Sequence, residues 1–69
     1  MNPDDIKAAI KAQPFEPVRL HLSNGAVFDI AHPDMIAIGP RTSAVLVGDA
    51  FQIIANVHIN QVERLAKAG

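Results

Sequence analysis

The stretch HLSNGAVFDI, residues 21–30, places an Asn-Gly pair between two runs in which apolar and polar residues alternate. This combination is a strong short-range signal for a β-hairpin. A two-residue loop at Asn24-Gly25 would set Leu20 opposite Asp29, so polar and apolar side chains would be mixed on both faces. The alternation therefore argues against that register.

A three-residue loop formed by Ser23, Asn24 and Gly25 removes this mixing. The loop is a type I turn followed by Gly25 in the left-handed conformation of a G1 bulge. On one face Arg19 then lies opposite Asp29 as an exposed cross-strand ion pair. The other face becomes wholly apolar, through the pairs Leu22 with Ala26, Leu20 with Phe28 and Val18 with Ile30.

A short amphipathic helix is predicted before the hairpin, over about residues 3–13. Asn2 is a favoured N-cap, and Pro3 suits the first helical position. Pro14 ends the helix, because the residue before a proline is pushed out of the α region. We expect Phe15 to anchor the extended segment that follows by packing against the sheet.

Short runs rich in β-branched residues predict further strands after the hairpin. A bend at His32 and Pro33 precedes them, because proline is confined to the ends and edges of strands. An alternative interpretation takes Asn60 and Glu63 as a capping pair that opens a C-terminal helix over Gln61–Ala68. The favoured interpretation has one helical turn over Ala55–His58 and strands over Met35–Gly39, Ala44–Val47, Phe51–Ile54 and Ile59–Arg64.

These elements predict a single domain, residues 1–69, of the mostly β (α+β) class, with its sheet over about residues 17–65. The short N-terminal helix is followed by five or six strands in a strongly bent antiparallel sheet or small barrel, SH3-like or Sm-like in architecture. The predicted core is apolar and draws on every element: Ile6, Ile10, Phe15, Val18, Leu20, Leu22, Phe28, Ile30, Ile36, Ile38, Val45, Val47, Phe51, Ile53, Ile59 and Val62.

Composition points to a protein partner. The 69 residues are 49% hydrophobic and 19% charged, whereas about 25% charged is ordinary for a globular protein. A domain this small cannot bury so much apolar surface alone. Apolar residues occur at both odd-numbered and even-numbered strand positions, such as Val27 and Ala31 beside Ile30, and these positions point to opposite faces. A second, weakly apolar face is therefore left after the core is filled. We therefore expect a homo-oligomer or a complex with another protein.

Charge and targeting signals argue against other classes of partner. Six basic and seven acidic residues give a pI near 6.2, so the charge does not support nucleic-acid binding. The chain has no cysteine, no signal-peptide pattern at its start and no apolar run long enough to span a membrane. We expect a cytoplasmic protein without a membrane partner.

The histidines and nearby carboxylates are the one set that resembles a catalytic or metal site. His32, Asp34 and His58 are its centre, joined by His21 and Asp29. No two histidines have the i, i+4 spacing of a helical ligand pair, and His-Pro-Asp is a common turn sequence. A small metal or hydrolytic site is therefore the weakest hypothesis. We predict no catalytic, cofactor-binding or metal-binding residue, and no cofactor.

Three motifs, Gln13–Pro17, Leu20–Gly25 and His32–Asp34, resemble those of a family of short, functionally uncharacterised bacterial proteins. The family pattern is Gln-Pro-Phe-x-Pro, an alternating strand with Asp-Gly or Asn-Gly, and His-Pro before a further strand. This resemblance implies no activity. The order of helix, hairpin and sheet is similar to that of Sm-like RNA-binding proteins, which implies nucleic-acid binding as an alternative function. Where those proteins carry an Arg-Gly or Lys-Gly element, Ala55–Asn60 contains no lysine or arginine. The leading prediction is a non-enzymatic interaction module that self-associates.

Overall fold

The computed structural model describes residues 1–65, which form one α-helix and six strands in two antiparallel sheets. In the first sheet β1 (Val18–Leu22) lies between β2 (Val27–Ile30) and β6 (Ile59–Arg64), and in the second β4 (Thr42–Val47) lies between β3 (Ile36–Ile38) and β5 (Ala50–Ala55). Within residues 1–65 no strand pairing joins the two sheets, so a closed barrel is not formed. The mostly β class with an N-terminal helix is confirmed. The helix, α1, spans Pro3–Ile10, and 3₁₀ turns lie at Pro33–Met35 and Asn56–His58.

The hairpin of β1 and β2 has the register predicted from its alternation. Leu20 pairs with Phe28, and Arg19 pairs with Asp29 on the other face. The Gly25 N–H donates to the Leu22 carbonyl over 3.0 Å, which closes the turn. Gly25 has a φ of 86°, the left-handed conformation that a G1 bulge requires. The three-residue loop is therefore confirmed.

Helix α1 begins as predicted and ends early. The Asn2 side-chain oxygen accepts a hydrogen bond from the Asp4 N–H over 2.8 Å, as expected of an N-cap. The helix ends at Ile10, before the predicted residue 13. The N–H of the C-cap residue Lys11 donates to the Lys7 carbonyl over 2.8 Å and closes the last turn, and Pro14 disfavours the α region for Gln13. No helix within residues 1–65 is long and apolar enough to cross a membrane.

Most of the predicted core lies between the two sheets and under α1. Phe15 is half-buried against this core, as expected of an anchor for the segment before β1, and Leu22, Phe28, Ile38 and Val62 are half-buried with it. The buried apolar side chains are Ile6, Ile10, Val18, Leu20, Ile30, Ile36, Val45 and Ile59. These residues place the core on the inner faces of both sheets.

The prediction that Val47, Phe51 and Ile53 belong to the core is wrong. Phe51 and Ile53 are 59% and 69% exposed, because they have the parity of the outer side of β5. Val47 is 43% exposed although it has the parity of the buried Val45. It is the last residue of β4, next to the turn at Gly48, and lies beyond the end of the core.

The strand over Ile59–Arg64 is confirmed, and the alternative helix is wrong as far as Arg64. The residues of β6 pair with β1, so their backbone groups are hydrogen-bonded to a neighbouring strand. Asn60 and Glu63 therefore lie in a strand and do not cap a helix. The remainder of that predicted helix, residues 66–68, lies outside the described residues. The helical turn before β6 is confirmed at Asn56–His58.

Candidate functional site

The outer face of the second sheet is an apolar surface that residues 1–65 leave exposed. Ser43 and Val45 are buried on the inner side of β4, so the alternate residues of this strand point outward. Directly paired residues of neighbouring strands share a face. The strand register therefore groups seven residues, which we call the outer face: Ala37 from β3, Thr42, Ala44 and Leu46 from β4, and Phe51, Ile53 and Ala55 from β5.

The outer face contains no charged residue, and its only polar side chain is that of Thr42. Phe51 lies opposite Leu46, and Ile53 lies opposite Ala44. Phe51 and Ile53 are both more than half exposed, and Val57, 76% exposed, follows them in the 3₁₀ turn. A charge-free patch built on a regular sheet is a recognised mark of an interaction surface.

The corresponding face of the first sheet has the opposite character. The Arg19 guanidinium donates two hydrogen bonds to the Asp29 carboxylate, over 2.7 and 3.1 Å. These bonds lower the pKa of Asp29 from its usual value and raise that of Arg19. Next to this pair, His21 Nε2 lies 2.8 Å from a carboxylate oxygen of Glu63 on β6. The two sheets of one small domain therefore present one charged and one apolar outer surface.

The sequence predicts a second apolar face on the hairpin, at Val27 and Ala31. Both side chains are exposed there, and Val27 is 50% exposed. Val27 shares its sheet with the Arg19–Asp29 and His21–Glu63 pairs, so the apolar area around it is small. The larger apolar face lies instead on the second sheet.

A buried asparagine positions the second sheet. Asn56 is 3% exposed and follows β5, and its side-chain oxygen accepts a hydrogen bond from the Ser43 hydroxyl over 2.6 Å. Its amide nitrogen donates to the Gly39 carbonyl over 2.8 Å, and its backbone N–H donates to the Arg41 carbonyl. The N-terminal amine of Met1 donates to the Asn56 carbonyl over 2.6 Å. These bonds tie the end of β5 to the β3–β4 turn and hold the outer face in one shape.

The histidines and carboxylates considered for metal or hydrolytic chemistry are not brought together. Across residues 1–65 no group of three metal-ligating side chains is close enough to hold an ion. His21 contacts Glu63, while the His32 side chain makes no capping hydrogen bond, and only its carbonyl accepts from the Met35 N–H. The metal-site hypothesis around His32, Asp34 and His58 therefore finds no support in the geometry.

Ser23 and His58 do meet, through the backbone of the histidine. The Ser23 hydroxyl lies 3.2 Å from the His58 carbonyl and 3.2 Å from the Asn60 side-chain oxygen, and the Ser23 N–H donates to the same carbonyl over 2.8 Å. The contact joins the hairpin loop to the start of β6. The contact is structural, since it uses the backbone carbonyl of His58 and not its imidazole.

A groove of about 480 Å³ runs beside the outer face. It lies between the hairpin loop and β5 and shares Ile53 and Ala55 with the outer face. The rest of its lining combines the aliphatic residues Leu22 and Ile54 with the polar residues Ser23, Asn24 and His58. The groove extends the apolar area past the edge of β5.

Sequence reasoning missed the outer face because it assigned Phe51 and Ile53 to the core. The signal that could have found it is the run Ala44–Val47, which is apolar at both parities. A strand of this kind in an antiparallel sheet has apolar residues left over for its second face. Only one parity can point to the core of a domain this thin.

Comparisons with protein-family models, with curated proteins and with solved structures give no match for this chain. The resemblance to the short bacterial family therefore stays a prediction.

Proposed function

We propose that this protein is a non-enzymatic interaction module that self-associates through the outer face of its second sheet. The observation that carries the proposal is the charge-free set of side chains around Phe51 and Ile53, both more than half exposed. Burying apolar surface is favourable by about 25 cal/mol per Å². A second copy offers an apolar face of the same shape, and a net charge of −1 per chain gives little repulsion.

A twofold axis would pack this face against itself, so that Phe51 of one copy meets Ile53 or Phe51 of the other. Two sheets packed face to face lie about 10 Å apart, with side chains from both filling the space. Such contacts need flat or gently twisted sheets without charges on the packed side. The three strands β3, β4 and β5 meet the second condition.

The size of the face predicts a weak complex. Three strands of about five residues offer a few hundred Å², on the order of half or less of the roughly 800 Å² per partner found in stable complexes. Contacts from Val57 and from the groove beside β5 would add to this area. We expect a dimer that forms at micromolar to millimolar concentration.

Sedimentation velocity over that range of concentrations tests the proposal. We expect the sedimentation coefficient of the natural protein to rise with concentration and that of Ile53→Glu to stay at the monomer value. Val27→Glu is the matched control, because Val27 is an exposed aliphatic residue on the first sheet. A strictly monomeric natural protein, or an Ile53→Glu variant that associates equally, would overturn the proposal.

Nucleic-acid binding is the alternative function. Its support is the order of elements, in which a helix precedes a hairpin and the last strand returns to pair with β1. Two of the basic side chains already lie next to carboxylates of this chain, which competes with binding to phosphate: Arg19 binds Asp29, and Arg64 Nη1 lies 3.9 Å from Glu16. This function predicts retention of a single-stranded oligonucleotide that weakens steeply with salt. Lack of retention at low salt would exclude it.

A further inference from the structure

A second groove, of about 650 Å³, lies on the side of the domain where the end of α1 passes β3. Its apolar lining comes from Ile10 and Phe15 in the N-terminal segment and from Ile36 and Ile38 in β3. Lys7 on α1 and Lys11, the C-cap residue that follows the helix, also line it about one helical turn apart. It is separate from the outer face, because none of its lining residues belongs to that set.

The strand that borders this groove has an open edge. β3 pairs with β4 on one side, and across residues 1–65 no strand pairs with it on the other. The Gly39 N–H donates to the Thr42 carbonyl over 2.8 Å across the turn between the two strands. Hydrogen-bonded and non-hydrogen-bonded pairs alternate along an antiparallel ladder. Because Gly39 and Thr42 form a hydrogen-bonded pair, Ala37, two residues earlier, is also hydrogen-bonded to β4. Ile36 and Ile38 lie in the non-hydrogen-bonded positions, so their backbone N–H and C=O groups point to the open edge.

The charged residues that line the groove are all positive. Its lining contains two lysines and no acidic residue. In the described part of the chain neither lysine lies within ion-pair distance of a carboxylate. Lysines also suit the last turn of a helix, where they interact with its dipole. That role would affect helix stability alone, so it can be separated by experiment from a role in binding.

We propose that this groove binds an extended segment of another protein in which acidic residues alternate with apolar ones. The segment adds as a strand to the edge of β3, where the N–H and C=O groups of Ile36 and Ile38 take up its backbone. Side chains of the added strand alternate between its two faces, so its carboxylates turn to the groove and meet Lys7 and Lys11, while its apolar side chains turn to the side of Ala37 and the outer face. Backbone pairing supplies affinity, and the lysines select against basic and neutral segments.

Amide hydrogen exchange, followed residue by residue by NMR, tests the position of the added strand. The probe is an acetylated octapeptide of alternating valine and glutamate. We expect it to slow exchange at the Ile36 and Ile38 amides and to leave the Ala37 amide unchanged, because the latter already donates to β4. Equal slowing at all three amides, or at none, would overturn the proposal. This measurement needs no variant and does not depend on the stability of one.

Charge variants test the role of the lysines. We expect Lys7→Glu/Lys11→Glu to weaken binding of the octapeptide about tenfold or more, and a valine–lysine octapeptide not to bind the natural protein. Arg64→Glu is the control, since this exposed arginine lies on β6 of the first sheet, and we expect unchanged affinity. Equal affinity of the double variant would overturn the proposal. So would protection of the same amides by a second copy of this chain at the concentrations used, which would assign the groove to self-association.

Discussion

Ile53 lies directly opposite Ala44 across β4 and β5, and 69% of its surface is exposed on the outer side of the second sheet. Val45, the next residue after Ala44, is completely buried on the inner side. Neighbouring positions of one apolar run therefore have opposite environments. The contrast follows from the two-residue period of a strand, and it can be measured.

Replacing valine or isoleucine by threonine distinguishes the two sides of the second sheet. We expect Val45→Thr to lower the free energy of unfolding by about 1–3 kcal/mol, because it buries a hydroxyl among apolar side chains. Ile53→Thr should change it by less than about 0.5 kcal/mol in the monomer. Urea unfolding at low protein concentration measures both. Equal losses would show that the two faces are misassigned.

Two glycines respond to alanine for different reasons. Gly25 has a φ of 86° with nothing within 4 Å of an added Cβ, so Gly25→Ala meets backbone strain without a clash. We expect a cost of about 1–2 kcal/mol in urea unfolding. At Gly39 the added Cβ would lie 2.8 Å from the Thr42 carbonyl oxygen, and the clash is with backbone. Gly39→Ala should therefore also move the β3–β4 turn, which changes in amide chemical shift at residues 39–42 would report. Unchanged shifts there would contradict this account.

Asn56 should be among the least replaceable polar residues of the fold. Asn56→Ala removes the acceptor of the buried Ser43 hydroxyl and the donor to the Gly39 carbonyl. Each buried polar group left without a partner costs about 1–3 kcal/mol, and we expect a total of about 2–4 kcal/mol. A double-mutant cycle with Ser43→Ala measures the coupling, since the Ser43 hydroxyl no longer needs a partner once it is removed. Strict additivity of the two losses would show that the hydrogen bond contributes nothing.

The Arg19–Asp29 pair should contribute to stability at neutral pH and lose its contribution in acid. The hydrogen bond from Arg19 lowers the pKa of Asp29 from its usual 3.8, so the folded state favours the ionised carboxylate. A lowered pKa gives stability that is present above the usual value and is lost as the pH falls through the folded value. The difference in unfolding free energy between the natural protein and Asp29→Asn should therefore shrink with acidification. A difference that is constant between neutral pH and about pH 2 would contradict the linkage.

The sequence by itself determined the parts of the fold that depend on neighbours along the chain. The hairpin register follows from the alternation around Ser23-Asn24-Gly25, because only one loop length puts Leu20 opposite Phe28 and Arg19 opposite Asp29. The N-cap at Asn2 and the left-handed Gly25 are likewise local preferences of single residues. For these features the backbone contacts that decide the outcome lie within about ten residues.

The tertiary structure alone decided which side of β4 and β5 is covered. Ala44–Val47 is apolar at both parities, so alternation cannot choose a side, and the choice falls to where α1 and the first sheet pack. Asn56 shows no sequence signal for burial, because its partners Ser43 and Gly39 are brought to it only by the fold. Residues Ile59–Arg64 suit a strand or a helix, and pairing with β1, about forty residues earlier, selects the strand. Local sequence does not encode such long-range contacts, so exposure of Phe51 and Ile53 becomes visible only once the two sheets are in place.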